Sequence, residues 1–233
     1  MLSLIKTNGR YFKGDNMVRK NNSKQTIENI LSISAKLFIE KGYDKTSMQD
    51  IVNALGMSKG AIFHHFHSKE EIFHSVMERQ SDQIVEAVNL WLIQMHGLTA
   101  KEKLRGVIKR NLQALTEDKA LTESNEMVDQ ATGSPHLVLA FMQEIVNKLA
   151  PVIADVLREG AKDGSIDTEF PNECAEVFLL LLNFWCDTNV FPGSLSVIHK
   201  RFLFLQYLMK KIGVDIVEDE MIELIVDFYG RKG

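Results

Sequence analysis

The chain has 233 residues, 45% of them hydrophobic and only four of them proline, an ordinary balance for a globular protein with a sizeable core. Apolar residues recur at three- and four-residue spacing, strand-like alternation is missing, and an all-α fold is expected. No apolar run approaches the ~20 residues that cross a bilayer, the longest being residues 177–182, and no signal peptide is evident, so a cytoplasmic protein is expected.

The net charge of −4 at first argues against nucleic acid, but its distribution argues for it. Residues 1–68 carry ten basic and five acidic side chains, whereas the remainder carries 17 and 26. A basic head on an acidic body suits DNA binding at one end. Cys174 and Cys186 stand twelve residues apart on one expected helix, about 18 Å along its axis, too far to bridge. They read as buried thiols in a reducing compartment, with a crosslink between subunits as the minor alternative.

Residues 1–16 have no periodic pattern, and residues 1–23 are expected to be disordered or a mis-annotated extension. Lys13 to Met17 can be encoded by a purine-rich stretch of the kind that precedes start codons, so Met17 is expected to be the initiator; a basic disordered arm is the rival reading. The first helix is expected over residues 24–41, with Ile27, Ile30, Leu31, Ser34 and Phe38 on one face and Gly42 as its left-handed stop. Ser47 to Asp50 form a capping box that opens a second helix, with Met48, Ile51, Val52 and Leu55 as its buried stripe and Gly56 at its end. Residues 57–60 allow only a tight turn before a third short helix over residues 61–66. Ser68 to Glu71 form a second capping box, opening a fourth helix to about residue 95.

Two short helices joined through a glycine and a tight turn, at residues 46–66, read as a helix-turn-helix. Its second helix fits the major groove, where the N-terminal residues reach base edges. The DNA-binding domain is placed at residues 24–68 and the larger helical domain at residues 69–233.

The stretch Phe38 to Ile51, then Leu55 to Phe66, then Ser68 to Ile72 resembles the DNA-binding domain of the TetR family of bacterial transcriptional regulators. The resemblance covers residues 26–76; the rest matches only in helical layout. It implies an Ω-shaped homodimer, a helical effector-binding and dimerisation domain, and release from double-stranded DNA when a small molecule binds. By position, Thr46, Ser47 and Lys69 look like phosphate contacts, and Ser58, Lys59, Gly60, Ala61, His64 and His65 look like the base-reading surface. Phe63 departs from the family pattern, where tyrosine is common, and the missing hydroxyl removes one phosphate bond worth ~1 kcal/mol. His64, His65 and His67 read as DNA-facing or solvated rather than as a metal site, because no matching Cys or acidic ligands lie nearby.

In the larger domain, helices are expected over residues 101–115, 121–130, from Pro135 onward with a kink or division near Ala150 at Pro151, 171–190, from Ser194 to residue 212, and a peripheral one over 218–229. Trp91, Asn111, Met127, Phe141, Met142, Phe178 and Asn183 are candidate effector-pocket residues, with Met77 and Met95 adding adaptable apolar surface. Leu181, Trp185, Phe202 and Leu205 are candidates for a four-helix dimer interface built from two helical hairpins. No cofactor, no metal and no membrane partner is expected. An enzyme motif is not found. The reading is a repressor that binds a pseudo-palindromic operator as a dimer and is released by a largely hydrophobic effector. Its rivals are an architectural or nucleoid-type factor without an effector and an interaction module that no longer binds DNA.

Overall fold

A computed structural model describes residues 14–117, 135–188 and 190–232. Among them are nine α-helices and no strand: α1 (Gly14–Lys41), α2 (Met48–Leu55), α3 (Lys59–Phe63), α4 (Lys69–Gln94), α5 (Ala100–Glu117), α6 (Pro135–Asp163), α7 (Pro171–Leu180), α8 (Leu195–Lys211) and α9 (Asp219–Lys232). The all-α expectation stands.

Two apolar cores organise the chain. The first is the head: Ile30, Phe38, Ile51, Ile62, Ile72 and Phe73 bring α1, α2, α3 and the start of α4 together. Phe38, Tyr43 and Phe73 stack with ring centroids 5.0–5.7 Å apart, in the tilted and edge-on geometries that aromatic rings favour. The second is the body, where Leu104, Leu157, Phe178, Phe202, Leu205, Met209 and Ile225 join α5 through α9. The long helix α6 packs against α4, α5 and α7 and contributes to both cores.

Several boundaries differ from the expectation for physical reasons. Helix α1 begins at Gly14, ten residues before the expected start at residue 24, so residues 14–23 are helical rather than disordered: polar residues extend a helix without contributing to its apolar face. Helix α3 begins at Lys59 under a Ser58 cap and ends at Phe63, so Phe66 is buried just beyond the helix rather than within it. Pro151 does not divide α6, which is continuous to Asp163. Pro151 is exposed, so the carbonyl one turn back that loses its donor faces water.

Helix α7 stops as an α-helix at Leu180 and continues as a π-turn, Leu181–Trp185, rather than to residue 190. The N–H of Cys186 reaches the Leu181 carbonyl five residues back at 2.9 Å, and the Asn183 amide donates to the Leu179 carbonyl at 2.9 Å. Helix α9 is not peripheral: Met221, Ile222 and Ile225 are buried, and α9 packs on α8 and α5. Run length also missed that α6, over Leu137–Asp163, is long and apolar enough to cross a membrane by length and composition. Its scattered polar positions, such as Glu144 and Lys148, break every apolar run. The helix expected at residues 121–130 lies outside the described residues.

Candidate nucleic-acid interface

The head is built from its caps upward. Gly42 and Gly56 adopt positive φ, 82° and 63°, where only glycine sits without strain, and so end α1 and α2. Ser47 caps α2: its hydroxyl accepts from the Asp50 N–H at 3.1 Å while the Asp50 carboxylate accepts from the Ser47 N–H at 2.8 Å. The Ser47 hydroxyl also donates to the Asp50 carboxylate at 2.6 Å, and Lys41 adds a third donor at 2.7 Å. That lysine, then the Ser47 hydroxyl and N–H, hold the Asp50 carboxyl well below the usual carboxylate range. The box ties the end of α1 to the start of α2 and fixes the angle at which the helix-turn-helix begins.

Thr46 has a different role from the expected one. It is 1% exposed, and its hydroxyl lies 2.8 Å from the Gly42 carbonyl and 3.2 Å from that of Leu37. Its N–H donates to the Tyr43 carbonyl. Both donors are satisfied inside the protein, so Thr46 closes the α1–α2 turn and offers no hydroxyl to a phosphate.

Ser58 caps α3, its hydroxyl accepting from the Ala61 N–H at 3.3 Å. Ile62 is fully buried and pins α3 to the head core, which turns Lys59, Gly60 and His64 outward. Ala61, Phe63 and His65 are half-buried. The Lys59 ammonium stands 5.3 Å from the Phe63 ring centroid, and the rings of His64 and His65 meet edge-on at 5.0 Å. Gly60 lies in open space, with nothing within 4 Å of where a Cβ would be. Ser47, Ser58, Lys59, Gly60 and His64 are each exposed, on α3 or at the caps that open α2 and α3.

Lys69, expected at a phosphate, is half-buried and already engaged. Its ammonium donates to the Tyr43 carbonyl at 2.7 Å and sits 4.1 Å over the Tyr43 ring. Tyr43 is the residue that sequence reasoning missed. Burial, and then the neighbouring Glu70 carboxylate, push its phenol above the ordinary tyrosine range. Glu70 is held below its own range by its backbone N–H and by the Tyr43 and Ser68 hydroxyls. An aromatic residue directly after a helix-ending glycine was the available signal; its partners Phe38, Lys69 and Phe73 come from other elements. Ser68 caps α4 through the Glu71 N–H, but Glu71 returns to the His67 N–H rather than to that of Ser68, so the second box is not reciprocal.

In the body, the pocket candidates are spread over packed helices α4 to α7. Trp91, Asn111, Phe141, Met142 and Asn183 are half-buried, Phe178 is buried, and Met127 lies outside the described residues. Phe141 meets Phe184 edge-on at 6.0 Å. Met77 belongs to the head core and Met95 packs over Gly106. Of the interface candidates, Phe202 and Leu205 are corrected: both are buried in their own subunit core and offer no area to a second copy. The large apolar residues that α8 exposes are Leu195 and Val197 in its first turn and Leu203, Phe204 and Tyr207 further along, with half-buried Trp185 meeting Phe204 at 5.7 Å.

Residues 30–76 match the model of the bacterial regulatory proteins of the tetR family, and residues 119–203 match that of a tetracyclin repressor-like C-terminal domain. The chain belongs to the TetR family of transcriptional regulators. The first match spans α2 and α3 with the core-facing parts of α1 and α4. Among curated TetR-family relatives, a helix-turn-helix transcriptional repressor of Mycobacterium tuberculosis is 26% identical over 153 residues, 66% of this chain and 75% of its own. The repressor KstR2 of Rhodococcus jostii is 26% identical over 151 residues, 64% of this chain and 72% of its own. A TetR-family regulator of Mesorhizobium loti shares the fold with a TM-score of 0.60 at 22% identity, covering 82% of this chain and 98% of that one. RolR in complex with resorcinol also shares it, with a TM-score of 0.60 at 16% identity over 88% and 95% of the two chains.

Proposed function

We propose that this TetR-family regulator is a repressor that binds a pseudo-palindromic operator as a dimer and releases it when a small, largely hydrophobic effector occupies the body. The observation that carries the reading is the short helix α3, pinned by buried Ile62 and presenting Lys59, Gly60 and His64 outward between two capped helices. That geometry suits a recognition helix: side chains at its start reach base edges, while exposed Ser47 meets the DNA backbone by exchanging its hydroxyl bond to Asp50 for one to a phosphate. Ser58, Ala61, Phe63 and His65 complete the surface. Lys69 contributes mainly by ordering the Tyr43 turn.

Dimerisation is assigned to the α7–α8 face. Phe204 and Tyr207 are 51% and 58% exposed, a large apolar area for a monomer to leave in water. The apolar effector class is supported by the composition of the bundle and by relatives. One is named a fatty acid metabolism regulator in Bacillus subtilis, and RolR was solved with resorcinol. The polar anchors assigned to the effector are Asn111 and Asn183, among Trp91, Met127, Phe141, Met142 and Phe178.

Capture of genomic DNA fragments by the purified protein, followed by sequencing, tests the reading. A few sites sharing an inverted repeat are expected. Capture without sequence preference would instead mark an architectural factor, and no capture would refute DNA binding. Native mass spectrometry with apolar small molecules is expected to show a stoichiometric adduct that reduces DNA capture.

A further inference from the structure

Helix α4 passes from one core to the other. Val76 and Met77 lie in the head core, and Ile84 packs against the body core. Between them run Glu78, Arg79, Gln80, Ser81, Asp82 and Gln83, a polar waist of more than one helical turn. On the head side of α4, Arg79 reaches the Ser32 hydroxyl at 3.0 Å and Glu28 at 3.3 Å, fastening α4 to α1. On the body side, the ammonium of Lys148 from α6 meets three acceptors. These are the Asp82 carboxylate at 2.5 Å, the Glu144 carboxylate at 2.9 Å and the Glu78 carbonyl at 3.3 Å. Three donors meet three acceptors, two of them on α4. The Ser81 hydroxyl, 1% exposed, lies 3.1 Å from Glu144 and so joins the same network.

Helix α6 has a second hold on the head. Leu137 is fully buried in the head core, and Phe141 packs against both cores. These apolar contacts attach α6 to the head and restrict the crossing of α4 and α6 to what their side chains allow. Hydrogen bonds are directional. Among the described residues, the hydrogen bonds between α4 and α6 are those of Lys148 and the Ser81–Glu144 contact that joins it, so this network selects one direction within the range that packing leaves.

We propose that Lys148 is a positioning residue for operator binding: from the body, it fixes the angle at which α4 carries the head, and so the spacing of two heads in a dimer. The proposal rests on the dimeric DNA-binding reading above. Two heads engage half-sites a set number of helical turns apart, so only chains holding the right spacing bind both. Loosening the waist lowers the fraction of dimers with that spacing, and apparent affinity falls with the fraction. Binding of one head to one half-site does not depend on spacing. Lys148 touches no DNA, so the number of phosphates neutralised stays the same.

Lys148→Met keeps the aliphatic stem and removes the donors; Asp82→Asn weakens the same network from its exposed end, should the first variant fold poorly. On a duplex selected by the wild-type protein, each is expected to lose about tenfold in affinity, at an unchanged salt slope. A duplex carrying one half-site is expected to bind all three proteins alike. Equal losses on both duplexes, or no loss on either, would overturn the proposal.

A second readout needs no DNA. Spin labels at Asn53→Cys in α2 and Glu176→Cys in α7, both exposed, report the head-to-body distance in dimers diluted with unlabelled chains. Lys148→Met is expected to broaden that distance distribution, and an unchanged width would refute the positioning role. If the wild-type protein selects no duplex, the DNA-binding reading fails, while the label distances still decide whether Lys148 holds the head.

Discussion

Thr46 shows how a residue at a DNA-facing position in sequence comes to act inside the fold. Removing its hydroxyl takes away the donor that reaches the Gly42 carbonyl at the end of α1, in a buried setting. Thr46→Ala is therefore expected to destabilise the head by about 1–2 kcal/mol, read as a lower midpoint in urea, with no change in the salt slope of DNA binding. Lys69 is the complementary case. Its bond to the Tyr43 carbonyl predicts that Lys69→Ala lowers both stability and affinity while leaving the salt slope nearly unchanged. A slope that falls by about one unit would instead return Lys69 to the phosphates. Cys186 is fully buried, and that burial pushes its thiol up to about 12. It should resist alkylation at pH 8 in the folded protein and react once the chain is unfolded, followed by mass spectrometry.

At the scale of the element, the carboxylates that cap helices govern the response to acid. Four are held below the ordinary carboxylate range: Asp50 chiefly by Lys41, Glu70 by its own N–H, Glu102 by the Thr99 hydroxyl and Asp163 by that of Ser165. A group depressed on folding stabilises above its unfolded value and loses that contribution as pH falls through its folded one. Melting temperature should therefore stay level from pH 7 to 5 and fall steadily below about pH 4, the ordinary carboxylate range. Caps and glycine stops were also what sequence could read. Ser47, Gly42, Gly56, Ser58 and Ser68 act on neighbours within four residues, so their spacing carries the information. The Tyr43–Lys69 clamp, the α6 contribution to the head core and the buried side of α8 depend on residues 26 or more apart, or on how a helix rotates against several neighbours. The π-turn at Leu181 shifts that rotation by one residue in a uniformly apolar stretch, where periodicity carries little information.

The whole molecule is two cores joined by α4 and α6, with DNA proposed at the head and a second copy proposed along the body. The aromatic run Trp185, Phe204 and Tyr207 is expected to be the centre of the subunit interface. Replacing Phe204 and Tyr207 together by glutamate should place charge in that contact and yield monomers by sedimentation, with the helical content unchanged. The central claim is that α3 reads DNA, and Lys59 offers the most direct test because its side chain is exposed and makes no hydrogen bond that the fold needs. Affinity should be measured for wild type and Lys59→Ala on a duplex selected by the protein and on an unrelated duplex of equal length. The account predicts a loss of about tenfold or more on the selected duplex, the worth of a good base contact, and a much smaller loss on the unrelated one. Unchanged affinity, or the same loss on both duplexes, would contradict it.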